Sequence, residues 1–491
     1  MNDILFPEGT EDQNPSSLNS PPSTFTEEED NVKPPKFRLP KDKDLPPIMR
    51  ELVSNAPQSF KVPTFFASAV CLAAIATRLR VYYPYDGQNE HAILLQCIIC
   101  GEQSSGKSFA RNNVESVIMK GLKKRDDDQR RQEQAYRELK QTASKTEKLP
   151  DPPKTVIRTC PISISIAQLI KRADAPQRYF GTPMTLWSFT DELSTAVESN
   201  KRAFSNIKTI ARTSYDLHST YGVDYLSDNA YSATVDILQC SLYLSTPSAL
   251  DSYADKGFIE GGGVTRTILV QLDDALGEEA PVFKILTSKQ REHIDQILDL
   301  MDRDVYAEDG TICEEQFLDV QWLFPTVREW VAEQNRLILR SGSKAHNTFF
   351  KRSSVSAFRI ATLCYYLYQL EGGGMKEEGL GKSPSTLNHK PSTKIKKRVR
   401  EIYLFCAQYI LDTMLGKWGK RYEELTQQRI QGESQTRVAV FDQLTSPFTR
   451  NQLDELVKRL EVGTPTRIFL SKWKAKGWIR ETQHYVYEKL C

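Results

Sequence analysis

Residues 92–122 read AILLQCIICGEQSSGKSFARNNVESVIMKGL, and everything else in the chain is arranged around them. The first nine residues are nearly all apolar, as in a strand buried on both faces of a parallel sheet. GEQSSGKS follows, a glycine-punctuated turn, and FARNNVESVIMKGL then takes up helical spacing. Within the turn, Gly101, Gly106, Lys107 and Ser108 match G-x-x-x-x-G-K-[ST]. In that pattern the backbone N–H groups of Gly101, Glu102, Gln103, Ser104, Ser105, Gly106, Lys107, Ser108 and Phe109 close around phosphate oxygens. Lys107 is expected to reach the β- and γ-phosphates and Ser108 to hold Mg²⁺, so the expected cofactors are ATP and Mg²⁺.

Downstream, strand-like runs recur at 161–166 (PISISI), 184–192 (MTLWSFTDE), 237–246 (ILQCSLYLST) and 265–274 (TRTILVQLDD), with helical patterns such as AQLIKRA between them. This alternation predicts a parallel sheet covered by helices, an α/β core. A phosphate loop needs an acidic partner at a neighbouring strand end to hydrolyse anything. LWSFTDE offers Asp191 for the metal shell and Glu192 as the base that orients water; the same pair could also begin a helix. Ser245 and Thr246 end another strand, where a hydroxyl can sense the γ-phosphate or simply open a turn. Arg266 follows the glycine-rich GFIEGGGVT and is the candidate arginine finger, with Arg212 in reserve.

The predicted organisation is a disordered tail over 1–40, a helical segment over 41–90 and the core over 91–280, with a charged helical arm at about 115–150. A helical domain over 281–430 and a small module over 435–491 follow. The tail, rich in Pro, Ser and acid, cannot bury enough apolar surface to order itself. The 372–392 stretch, rich in Gly, Lys and Ser, reads as a mobile loop. In the last module, helical VAVFDQL, NQLDELVKRL and PTRIFLSKWKAKGWI precede a strand pair, the order of a winged helix. Its Arg467, Lys472 and Lys474 are candidate contacts to DNA phosphates, although such modules also dock proteins.

With 65 basic and 63 acidic residues the net charge is only +2, so any attraction to nucleic acid has to be local. Nine scattered cysteines in apolar surroundings fit reduced thiols rather than a disulfide framework. Cys97 and Cys100 have C-x-x-C spacing, but an extended backbone turns them to opposite faces and no second pair completes a zinc site. The opening residues carry no leader pattern and no run is long enough for a membrane span, so a cytoplasmic protein is expected.

Taken together, GEQSSGKS, SFTDEL, SYDLHSTYGV with LYLSTPSAL, GFIEGGGVTRTILV and FRIATLCYYLY resemble a family of helicase-like P-loop ATPases carried on bacterial mobile elements and phages. That family is often catalogued as a domain of unknown function and is frequently joined to a primase. The likeness spans about residues 45–370. It implies a RecA-like fold, a homo-oligomer with shared ATP sites, and ATP-driven work as a DNA helicase or translocase in replication of the element. Lys107, Ser108, Asp191 and Glu192 take the family's roles by position. The IEGGGVT segment separates a glycine and an arginine that lie close together in the family, and the first 40 residues are too short for a primase domain. A primase would then be a separate partner, single-stranded DNA the track of the motor, and duplex or phosphate backbone the target of the winged helix. The other class the residues allow is a regulatory or adaptor ATPase that uses ATP as a switch for helicase loading or anti-phage defence.

Overall fold

The computed structural model describes residues 37–144, 148–195, 207–224, 232–274, 277, 279–373 and 390–490. Residues 1–36 of the expected tail and 374–389 of the expected mobile loop lie outside them. The strands, in chain order, are β1 (Leu79–Tyr83), β2 (Asp86–Ala92), β3 (Gln96–Cys100), β4 (Thr159–Cys160), β5 (Leu186–Thr190), β6 (Thr220–Val223), β7 (Ala233–Asp236), β8 (Gln239–Ser245) and β9 (Thr267–Gln271).

Five of them form one all-parallel sheet in the order β4-β5-β8-β3-β9, within a mixed α/β fold. Every residue of β3 and of β8 is buried. That is why the residues Cys97 to Cys100 of β3 are apolar without alternation, while β8 buries Gln239, Ser241 and Ser245 along with its apolar residues. Burial of Ile98 or Ile99 is worth about 1.5–3 kcal/mol each. The helix Lys61–Ile75, predicted from FFASAVCLAAIATRL, packs across β3 and β8, and Phe66 stacks on Tyr409 of the helix Thr393–Met414 at 5.0 Å. Among the described residues only Gln58–Ile75 is long and apolar enough to cross a membrane, and 72% of it is buried in this fold. Cys97 and Cys100 are both buried and free.

Sequence expectations are corrected in several places. The helical reading of 41–90 holds only to Ile75, because β1 and β2 form an antiparallel pair, and β1 pairs in parallel with β10 (Gln316–Phe317). Residues 161–166 are not a strand: the strand is β4, just before them, and the Ser165 side chain accepts from the Gln168 N–H to cap the helix Ile166–Phe180. The arm is docked along its first half, although it reads as a solvated charge run. Its helix, Lys120–Thr142, spans 23 residues, about 34 Å. Buried Asp126 accepts from the backbone N–H groups of Arg158 (3.0 Å) and Thr159 (2.6 Å). Arg125 forms a two-toothed pair with Asp302 at 2.8 and 2.6 Å.

The C-terminal residues have their own hydrophobic cluster, in which Val440, Phe441, Phe448, Phe469, Trp473 and Tyr487 take part. Its sheet is antiparallel, β11 (Phe448–Thr449), β13 (Val486–Lys489) and β12 (Ile479–Gln483) in that order. VAVFDQL is not a separate helix. It is the end of Lys420–Asp442, which carries Val440 and Phe441 into this second core.

Glu133 pins the arm's middle to the core. Its carboxylate accepts from Arg172 at 2.5 and 2.9 Å and from the Thr155 hydroxyl at 2.7 Å. Partial burial would raise its pKa, but Arg172 and Thr155 outweigh that and pull it from 4.5 to about 2. A carboxylate depressed in the folded state stabilises above its unfolded pKa and loses that contribution as pH falls towards the folded value. Glu133→Gln should therefore cost about 1–3 kcal/mol at neutral pH. The gap between the two proteins should close as pH falls from 4.5 towards about 2. Denaturant midpoints across that range check it, and a pH-independent gap contradicts the ion-pair account.

Candidate functional site

The loop 101–108 leaves the C-terminal tip of β3, flanked by the tips of β8 and β9. Cys100 is in register with Ser245 and with Gln271. The Gly101 N–H donates to Ser245 O (3.1 Å), and the Leu272 N–H donates to Cys100 O (2.8 Å). Ladder bonds on both sides thus hold the start of the loop. Beyond it, Ser104 and Gly106 both have positive φ, 63° and 78°. Left-handed residues in such a turn make consecutive N–H groups converge, which favours an anion.

Lys107 folds back over the loop. Its Nζ donates to Gly101 O (2.7 Å) and to Glu102 O, with Ser105 Oγ at 3.5 Å. Burial lowers its pKa, partly countered by the charges of Cys100, Glu192 and Glu102. Glu102, Gln103, Ser104 and Ser108 are exposed, whereas Ser105 is buried. Phe109 is buried too, so only its backbone belongs to the loop. Its ring stacks on Phe283 (5.5 Å, 7°) and meets Phe60 edge-on at 5.1 Å.

The strand ends bring the other candidates to the same end of the sheet. Asp191 follows β5, and its Oδ2 accepts from Arg111 Nη1 at 2.5 Å, one helical turn past Ser108. Glu192 is exposed beside it, its N–H held by Thr190 Oγ1 at 3.3 Å. Below, buried Glu115 accepts from Lys123 (2.5 Å) and from Trp187 Nε1 (3.3 Å), which ties the loop's helix to β5. Ser245 is buried at the tip of β8, between β5 and β3. Thr246 is committed elsewhere: its side chain caps the helix Pro247–Tyr253 by accepting from the Ala249 N–H.

Arg266 stands at the other end. It precedes β9, so the length of that strand, about 17 Å for five residues, separates it from the loop of its own chain. Arg212 lies beside it, and both guanidinium groups press on the turn at Gly261 and Gly262, where a Cβ at Gly261 would collide with Arg212. Arg266 is part of a cationic cluster. Arg352 and Arg359 each reach Asp216 at 3.3 Å, and Arg359 lies 4.2 Å from the centre of the Tyr215 ring. Burial would raise the Asp216 pKa, yet Arg359, Arg352 and Arg266 together hold it low. For Arg266, burial and then Arg352 lower the pKa.

In the C-terminal module Arg467 and Lys472 project from the helix Thr466–Ala475 into solvent. Lys474 does not stand free as sequence reading expected: it is bonded to Glu481 and lies 5.1 Å from the Tyr487 ring centre.

Sequence reading missed Arg111, the Phe60–Phe109–Phe283 group and the Arg352–Arg359–Asp216 cluster. Only Arg359 left a local signal, a lone arginine inside the apolar run SAFRIATLCYY. No family model matches the chain, and no curated protein is similar to it.

Gly106 is fixed by space as well as by φ: a Cβ there would lie 2.7 Å from Pro281 Cγ and 3.2 Å from Phe60. Gly106→Ala should cost at least about 1 kcal/mol. Gly463 lies outside the left-handed region and has open space around it, so Gly463→Ala is the control. Denaturant midpoints decide; equal midpoints contradict the strained-turn account.

Proposed function

We propose that this chain is a RecA-like P-loop ATPase that works on DNA, as a helicase or translocase in replication of a mobile element. The observation that carries it is the meeting, at one end of a parallel sheet, of the glycine-lysine-serine loop with an acidic strand end two strands away. With strands about 4.8 Å apart, the tips of β3 and β5 stand about 10 Å from each other. That gap accommodates a terminal phosphate and one water between Lys107 and Glu192.

The residues fit Mg²⁺ and ATP. Ser108 and Asp191 supply two oxygens, and Mg²⁺ needs no dedicated protein cage because phosphates and waters complete its shell. Bound there, it would draw negative charge from the β- and γ-phosphates. The loop's N–H groups would bind the phosphates, and Lys107 would exchange its carbonyl partners, Gly101 and Glu102, for phosphate oxygens. Arg111 holds Asp191 in reach. Glu192 would accept the proton of the attacking water. Ser245 is the better placed of the two sensor candidates, because the Thr246 side chain is spent on its cap.

Arg266 and Arg212 lie too far from their own loop to act in cis, which supports a homo-oligomer in which one subunit's arginine meets its neighbour's phosphate. The C-terminal module is the proposed winged helix, with Arg467 and Lys472 on DNA phosphates. A separate primase is the proposed partner. Replication rests on the family resemblance, and the cytoplasm on the reduced cysteines.

Lys107→Ala should abolish hydrolysis, while Glu192→Gln should retain ATP and stop turnover. Arg266→Ala alone should bind nucleotide but turn over slowly, and mixing it with Lys107→Ala should restore part of the rate. Turnover with and without single-stranded DNA, beside strand separation of a tailed duplex, tests the whole reading. Normal turnover in Lys107→Ala overturns the ATPase, and full turnover without any response to DNA favours the adaptor class.

Removal of 435–491 should leave an active ATPase core with weaker DNA binding. Within the module, Arg467→Ala with Lys472→Ala should flatten the dependence of log affinity on log salt by about 2, one for each phosphate contact. Lys474→Ala should change it less, because Glu481 already neutralises that charge. Affinities at several salt concentrations check this. An unchanged slope would mean that the module docks a protein.

A further inference from the structure

A cavity of about 420 Å³ lies beside the helical turn that follows the loop. Its walls come from segments far apart in the chain: Asn55, Thr64, Asn112, Asn113 and Phe283 among others. Phe283 provides an apolar wall and is the residue stacked on Phe109, directly after Ser108. Asn112 stands four residues beyond Ser108, about one helical turn or 5.4 Å along the axis. A nucleotide whose phosphates sat in the loop would carry its base one ribose away, at this distance. The volume falls within the usual range for a small-molecule site, about 300–1,000 Å³.

Two polar side chains of its wall, Thr64 and Asn55, carry the argument. Thr64 is 1% exposed, and its Oγ1 has no hydrogen-bond partner among the described residues. A buried unpaired hydroxyl is costly unless something fills the space before it. Asn55 is oriented by a chain of bonds. The Thr287 N–H, which can only donate, lies 3.0 Å from Gln290 Oε1, so that atom is an oxygen. Asn55 Nδ2 then donates to the same oxygen at 3.2 Å. The remaining Asn55 atom is therefore Oδ1, a pure acceptor. Its backbone is fixed as well, since Asn55 O accepts from the Lys284 N–H at 2.9 Å.

We propose that this cavity is the nucleobase pocket of the phosphate loop, and that it selects adenine. Asn55 Oδ1 accepts from the 6-amino group, which guanine and hypoxanthine replace with an oxygen. The Thr64 hydroxyl donates to a ring nitrogen, and Phe283 covers the ring. This rests on the phosphate-loop reading, and the probes separate the two.

Binding of ADP, IDP, GDP and inorganic pyrophosphate to the full-length chain is measured by calorimetry with Mg²⁺ present. ADP should bind about tenfold to a hundredfold more tightly than IDP, the range set by bringing two acceptors, Asn55 Oδ1 and the 6-oxygen of IDP, together with no hydrogen between them. Asn55→Leu should bring ADP down towards IDP, Thr64→Val should weaken both, and each should leave pyrophosphate unchanged. Equal affinity for ADP and IDP in the unaltered protein overturns the pocket, whatever the variants do. So does an ADP-to-IDP ratio that survives Asn55→Leu. If neither pyrophosphate nor ADP binds, or Lys107→Ala leaves both unaffected, the phosphate loop itself is refuted and the pocket with it.

Discussion

The parallel pairing of β3 on both edges is the constraint on which the rest depends. A strand with neighbours on each side and both faces buried has no freedom to slide, because a shift of one residue would exchange the packing of Ile98 and Ile99 between the two faces and break register with both neighbours. Its tip is therefore a fixed point. The loop starts there, and the register that sets Cys100 beside Ser245 and Gln271 decides which residues can surround it. One further strand, β8, stands between β3 and β5. It keeps Asp191 and Glu192 at a working distance from Lys107 instead of in direct contact.

Parallel strands also give the sheet two chemically different ends. The tips of β3, β5 and β8 gather the acidic pair and the glycine loop, whereas the start of β9 gathers arginines. Arg359 is wholly buried; its Nη1 donates to Leu94 O (3.0 Å) and Tyr215 O (2.9 Å) and its Nη2 reaches Asp216. A buried guanidinium without such acceptors would be strongly destabilising. One carboxylate among Arg266, Arg352 and Arg359 leaves local positive charge in a chain that is almost neutral as a whole. Overall charge balance and a local field are separate matters, as the C-terminal helix repeats with Arg467 and Lys472.

What could be read in the sequence was what is local. Short segments rich in apolar and β-forming residues marked β3, β5, β8 and β9 to within a few residues, and the spacing of Gly101, Gly106, Lys107 and Ser108 marked the loop. Period and propensity failed where capping or pairing decided. PISISI has strand composition, but Ser165 caps a helix at its end; residues 79–92 follow a helix and were absorbed into it, although β1 needs the distant Gln316 and Phe317 as neighbours. The candidate site divides the same way. Arg111 faces Asp191 across 80 positions, and Phe60 and Phe283 meet each other and Phe109 from distant parts of the chain, contacts that no window of sequence contains.

The bond from Arg359 to Leu94 O spans 265 positions, and it closes the run of chain that leads into β3. During synthesis that run emerges first and its partner last. At about 5–20 residues per second the ribosome needs roughly 13–53 s to cover the interval. For that time the root of the glycine loop exists without the cation that seals it, and Asp216, 143 positions before Arg359, lacks its main counter-charge for roughly 7–29 s of it. A nascent chain is then obliged to wait, half assembled, with the glycine loop made before the arginine that secures its foundation, which places its window of vulnerability to chaperones and proteases before residue 359 leaves the exit tunnel.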